Sequence, residues 1–269
     1  MPPLGPALAR IKRDRIKAVS LEGGGEPSVR PDLLATAAKL RAAGVEHIML
    51  STNGVALADM ELCREAAAAI DQFTVNFPSH LPEVYAAATR SVKYPQAVRG
   101  LRNLLDLGVR ERLRVFHIIS SFNFRALPGF AAWAAENLRG AGLVNLTFVR
   151  NAGRARGEDG IVPSYSEAAP FIKLALARLK LAGFKAVVQN FPLCMLKGFE
   201  GFSFEFQRWS RGDAVFEEGV ASAADCAACA ACALAPACFG YRTDYGEIRG
   251  FADLKASRIR PSSIKPERF

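Results

Sequence analysis

The 269-residue sequence has no long apolar run, only three histidines and two tryptophans. Its longest stretch without a charged side chain, positions 226–241, is 16 residues long and holds Pro236. A membrane-spanning helix needs roughly 20 apolar residues. No basic segment leading into an apolar one opens the chain, so nothing reads as a secretion signal. Histidine and aspartate do not pair where strands should end, which leaves a zinc-dependent hydrolase without ligands. The chain has no G-x-G-x-x-G turn and no P-loop lysine. Half the residues are apolar and 23% are charged, a composition that excludes disorder, collagen and coiled-coil arrays. The net charge of +9 comes from scattered basic residues, so it argues for solubility and makes no case for nucleic acid. A cytoplasmic protein without a membrane partner is expected.

What the sequence does have is alternation. Short β-branched runs at 18–21, 47–51, 73–76, 113–119, 143–149 and 185–189 read as strands. Between them, 32–43, 58–70, 95–107, 127–139 and 166–182 repeat apolar residues at helical spacing. That order is the mark of parallel βα units. Pro31 with Asp32, and Ser164 to Ser166 with Glu167, supply helix starts, while Gly44, Gly108 and Gly183 stand where helices should stop. The alternation ends near Cys194. A Phe-rich stretch and an Ala-rich stretch follow, so the chain divides into 1–193 and a small cysteine-bearing module, 194–269.

In parallel α/β folds the residues just past each strand converge on one face and read the ligand there. These positions are Glu22 to Pro27, Ser51 to Gly54, Asn76 to His80, Ser120 and Ser121 with Asn123, and Asn151 to Gly153. Gly23, Gly24 and Gly25 let a ligand approach the backbone, and Glu26 would receive a cationic group such as an amine. A Gly-rich turn alone is weak evidence. His47 and His117 lie in apolar strands and read as core histidines; His80, on a strand-top loop, is open to either role.

Six cysteines are present, and Cys226, Cys229, Cys232 and Cys238 fall within 13 residues. In a reducing compartment, clustered thiols hold a metal or an iron-sulfur cluster more often than they form disulfides. Two-residue gaps suit either zinc or iron. Cys63, on a predicted helix with no partner at ligand spacing, reads as a small buried residue.

Gly-Gly-Glu26-Pro27 after a strand, Pro31-Asp32-Leu33 opening a helix, and a strand ending Thr52-Asn53-Gly54 resemble the radical S-adenosylmethionine (SAM) family. The tail, with Pro192-Leu193-Cys194, Cys229-x2-Cys232-x5-Cys238-Phe239-Gly240 and Tyr245-Gly246-Glu247, is similar to the auxiliary-cluster modules called SPASM or twitch domains. The resemblance implies an α/β fold: a partial (β/α)6 TIM-like barrel missing its first strand, plus the small Cys-rich module. It implies SAM and a 4Fe-4S cluster as cofactors, and a deoxyadenosyl radical that takes hydrogen from a peptide or protein substrate. An electron donor of reductase or flavodoxin type goes with that chemistry. By position, Gly24, Gly25 and Glu26 would hold the methionine amino group. Asn53, Asn76 and Ser79 would lie near its carboxylate or the ribose, and His117 and Asn151 near the adenine. Cys194, Cys229, Cys232 and Cys238 would ligate the auxiliary cluster, with Cys226 spare or a replacement.

The family's Cys-x3-Cys-x2-Cys motif for the catalytic cluster is not among these residues. Positions 1–17 read as the helix that follows that cluster loop. The chain as given is therefore expected not to cleave SAM. A non-catalytic, metal-binding scaffold derived from such a barrel is the alternative.

Overall fold

The computed structural model describes residues 4–213 and 226–267, so residues 221–225 of the Ala-rich stretch lie outside it. Six strands, β1 (Ala18–Leu21), β2 (His47–Thr52), β3 (Gln72–Asn76), β4 (Leu113–Ile119), β5 (Leu143–Phe148) and β6 (Ala186–Gln189), form one sheet in chain order. Pairing is parallel, with Leu21 opposite Leu50, Leu50 opposite Phe73 and Phe73 opposite Leu113. All six strands expected from the sequence are present, and the fold is the expected α/β sheet of a partial TIM-like barrel. The polypeptide divides into two compact units, one of residues 1–116 and 136–144, the other of 117–135 and 145–269.

In the first unit the helices are α1 (Leu4–Asp14), α2 (Leu33–Ala42), α3 (Met60–Ala69), α4 (Pro82–Thr89) and α5 (Tyr94–Asp106). Helix α4 is absent from the sequence reading. It is only two turns long, too short to display a period, yet Pro82 starts it and Arg90 closes it in the left-handed region at φ 56°. Asp32 precedes α2 as expected, but its carboxylate does not cap the helix; both oxygens take the Arg30 guanidinium, at 2.8 and 2.6 Å. Cys63 is fully buried on α3, as expected of a packing residue.

His47 departs from its expected core role. It is half exposed at the start of β2, with Nδ1 4.0 Å from Asp71 Oδ2. The reason is strand alternation: Ile48, Leu50 and Thr52 turn inward, so His47 points the other way.

Two glycines fix how closely α5 approaches the loop after β2. A Cβ built on Gly100 would stand 2.0 Å from the Gly54 carbonyl oxygen, and one on Gly54 would stand 3.0 Å from Val75. No side chain fits there.

In the second unit the helices include α6 (Leu127–Asn137), α7 (Tyr165–Leu181), α8 (Phe204–Ser210), the single turn α9 (Ala227–Ala230) and α10 (Thr243–Arg249). Ser164 and Glu167 form the reciprocal capping box expected at the start of α7. Phe148, Tyr165, Phe191 and Tyr245 pack together, with the two tyrosine rings stacked at 3.7 Å. Within the Phe-rich stretch Phe206 stacks on Trp209 with ring centroids 5.7 Å apart.

Gly100→Ala is expected to cost about 1–3 kcal/mol, the usual penalty of overpacking. Gly5→Ala, at a helical position where the new Cβ meets nothing within 4 Å, is expected to be neutral or stabilising by up to about 1 kcal/mol. Chemical denaturation of both variants checks this; equal stabilities would contradict the close approach.

Candidate functional site

In the first unit the chemistry gathers where β1 and β2 end. The Glu26 carboxylate is held by donors from both. Oε1 accepts from the Ser28 amide at 3.0 Å, the Ser28 hydroxyl at 2.6 Å and the Thr52 hydroxyl at 2.6 Å. Oε2 accepts from the Asn53 amide at 2.7 Å. Glu26 also caps the short turn Pro27–Val29. Four donors on one carboxylate fix its direction. Oε2, with a single bond, keeps acceptor capacity for a further partner.

Next to it, Gly23, Gly24 and Gly25 have φ of 79°, 65° and 136°, and a Cβ on any of them would meet nothing within 4 Å. Side chains are excluded here by backbone conformation rather than by crowding, so the turn is bare and approachable. Asn53 Oδ1 accepts from the Val55 amide at 2.9 Å, an Asx turn that leaves its amide group as the donor. Ser79 is buried, and its hydroxyl oxygen accepts from the Leu81 amide at 3.0 Å. Asn76 Oδ1 is buried with no hydrogen-bond partner among the described residues. Such an orphan acceptor costs about 1–3 kcal/mol unless a ligand supplies the donor.

His80 Nδ1 is likewise buried and unpartnered, and burial holds this imidazole below its usual pKa, against a smaller opposing pull from Glu83. The buried ring of Tyr85 stands within reach of the Glu26 charge; burial first, then that charge, raises the Tyr85 pKa. The roles of Ser28 and Tyr85 are not legible in the sequence. The signal lies in hydroxyls flanking a lone carboxylate, and pairing them needs the strand register.

In the second unit His117 is buried with its ring 4.2 Å from that of Phe130. The Asn151 amide donates to Asp244 Oδ2 at 2.7 Å, while Asn151 Oδ1 is buried with no hydrogen-bond partner among the described residues. That leaves Asn151 an acceptor for a ligand donor.

Cys194, Cys226, Cys229, Cys232 and Cys238 all fall in this unit as free thiols. They stand within electrostatic reach of one another: Cys194 of Cys232 and Cys226, Cys229 of Cys226, Cys238 and Cys194, and Cys238 of Cys194 and Cys232. Burial, reinforced by these neighbours, pushes Cys238 up to about 12 and raises Cys194 and Cys229 as well.

Backbone amides are aimed at three of the sulfurs. Ser257 donates to Cys232 Sγ at 3.2 Å and Gly240 to Cys238 Sγ at 3.4 Å. Leu193 also donates to Cys238, and Lys255 to Cys194. Amides directed at sulfur favour thiolates, the form that ligates iron. Among the described residues no group of three or more His, Cys, Asp or Glu side chains is drawn together as a single metal ion requires. Zinc would hold four sulfurs about 2.3 Å from one point. A four-iron cube is larger and keeps its thiolates farther apart.

Residues 7–124 match the family model described as the radical SAM superfamily. The chain is 31% identical over 149 residues to the mycofactocin maturase MftC of Mycobacterium ulcerans, an alignment covering 55% of this chain and 38% of that protein. It is 28% identical over 115 residues to the GTP 3',8-cyclase of Actinobacillus succinogenes, covering 42% and 34%. The chain thus spans little more than a third of the length of these curated relatives. In fold it is similar to a domain of pyruvate-formate lyase-activating enzyme from Bacteroides vulgatus, with a TM-score of 0.51 at 16% identity, over 63% of this chain and 97% of that one. Residues 7–124 thus match the radical SAM superfamily, and the parallel sheet described above agrees with that match.

Proposed function

We propose that the protein binds S-adenosylmethionine at the strand tops of its first unit and an iron-sulfur cluster at the cysteines of its second. The reaction class is then hydrogen-atom abstraction from a peptide or protein substrate. The observation that carries the SAM reading is the Glu26 carboxylate, locked by four donors beside a bare glycine turn, with the orphan acceptor of Asn76 in the same unit. That donor set suits a ligand with an ammonium group and hydroxyls.

Gly24 and Gly25 present backbone to the ligand and Glu26 receives its amine. Asn53 offers an amide donor, Ser79 a hydroxyl donor and Asn76 an acceptor to the carboxylate and ribose. His117 and Asn151 serve the adenine. When bound, the cofactor and a reduced 4Fe-4S cluster together supply one-electron cleavage and hydrogen abstraction; the protein's share is orientation and exclusion of water.

In the tail, residues 194–269 form the auxiliary-cluster module, with ligands drawn from Cys194, Cys229, Cys232, Cys238 and Cys226, and residues 1–193 the core. The amides on Cys194, Cys232 and Cys238 support this reading. Raised thiols must lose protons to ligate, so loading releases protons. The peptide substrate is supported by the similarity to a maturase; a reductase or flavodoxin-type donor follows from the need for one electron. Among the described residues no helix is long and apolar enough to cross a membrane, and we place the protein in the cytoplasm.

Equilibrium dialysis should show that the protein retains S-adenosylmethionine and that Glu26→Gln weakens binding at least tenfold, about 1.4 kcal/mol; no retention, or equal retention by the variant, would overturn the site. Anaerobic reconstitution should yield a brown protein with about four irons per chain, as a 4Fe-4S cluster requires, and a colourless zinc-containing product would sink the iron reading. A polypeptide of these 269 residues, mixed with the cofactor and dithionite, should release no deoxyadenosine above background; release would show that it finds catalytic-cluster ligands outside the family's motif.

A further inference from the structure

A cubic cluster takes four thiolates, and the second unit holds five cysteines linked to one another by electrostatic reach. They are not equivalent. Cys194, Cys232 and Cys238 have backbone amides directed at their sulfurs, from Lys255, from Ser257, and from Leu193 with Gly240. The Gly240 amide is local to Cys238, but those of Leu193, Lys255 and Ser257 come from backbone remote in sequence, so each of the three sulfurs is anchored by the fold. Cys226 and Cys229 are held differently: their side chains hydrogen-bond each other.

The local backbone explains why. Cys226 caps the turn α9 and Cys229 is its third residue, with the Cys229 amide donating to the Cys226 carbonyl at 2.9 Å. Residues three apart on a helical turn share a face. Both side chains also reach the same neighbour, Cys194. They differ in access, since Cys226 is only 3% exposed whereas Cys229 is half-buried.

We propose that Cys226 and Cys229 are alternative thiolates for one coordination position of the tail cluster, whose other three positions belong to Cys194, Cys232 and Cys238. The inference rests on the reading of these cysteines as cluster ligands. Such a pair lets the partly exposed Cys229 exchange with the buried Cys226, the leaving thiolate taking up the proton that the entering thiol gives up, so that the cube stays fully ligated.

The test uses the full chain, reconstituted anaerobically with iron and sulfide, in five forms: unaltered, Cys226→Ala, Cys229→Ala, the double variant, and Cys232→Ala. Iron content and the electron paramagnetic resonance spectrum of the reduced cluster are measured, with circular dichroism to verify folding; serine replaces alanine in any variant that fails to fold. Both single variants are expected to keep iron at the unaltered level and to differ from each other in spectrum. The double variant and Cys232→Ala are expected to lose most of it. Loss of iron in either single variant, or retention in the double variant, would overturn the shared position while leaving the cluster itself in place. An unaltered chain that takes up no iron would instead remove the cluster reading, and this proposal with it.

Discussion

The Glu26 carboxylate ties the turn after the first strand to the end of the second. Among the described residues no basic side chain bonds to Glu26; its charge is met by two backbone amides and two hydroxyls, and these come from its own turn and from the end of β2 and the loop after it. Ser28, Thr52 and Asn53 spend their donors there, so both loops converge on this carboxylate. A cation partner would have quenched the charge. Dipolar donors stabilise it without neutralising it, so the carboxylate stays attractive to an incoming ammonium. The neighbouring glycines keep the approach clear, and the contact of Gly100 with the Gly54 backbone fixes α5 against the same loop.

The second unit solves a different electrostatic problem. Several thiols are withdrawn from water close to one another, which raises their pKa and keeps them protonated. Peptide amides already pointing at sulfur lower the cost of ionising them once positive charge arrives. The site is thus prepared for charge that the polypeptide itself does not supply, as metal-coupled sites generally are.

Most of the architecture was legible because periodicity reports burial. All six strands and the helices 32–43, 58–70, 95–107, 127–139 and 166–182 follow from repeats of apolar residues, and the capping box at Ser164 from local chemistry alone. What escaped was set by tertiary detail. Helix α4 is too short for a period, Asp32 prefers Arg30 to the helix end, and His47 falls on the accessible side of a strand whose alternate residues are buried. For the site, the motif positions Glu26, Asn53 and Asn76 stand out in the sequence as polar residues after strands. The donors Ser28 and Thr52 become meaningful only when β1 and β2 lie in register. Likewise the five cysteines are conspicuous by spacing, but the division into three anchored sulfurs and one mutually bonded pair depends on amides from Leu193, Gly240, Lys255 and Ser257, which no spacing rule reveals.

The central claim is that Glu26 is a preformed anionic anchor whose donor network exists before the ligand arrives. A crystal structure of the protein soaked with S-adenosylmethionine tests it most directly. The account predicts the ligand's amino group against Glu26 Oε2, with the bonds from Ser28, Thr52 and Asn53 unchanged. A ligand bound elsewhere, or a Glu26 that breaks from Thr52 and Asn53 to meet it, would contradict the account.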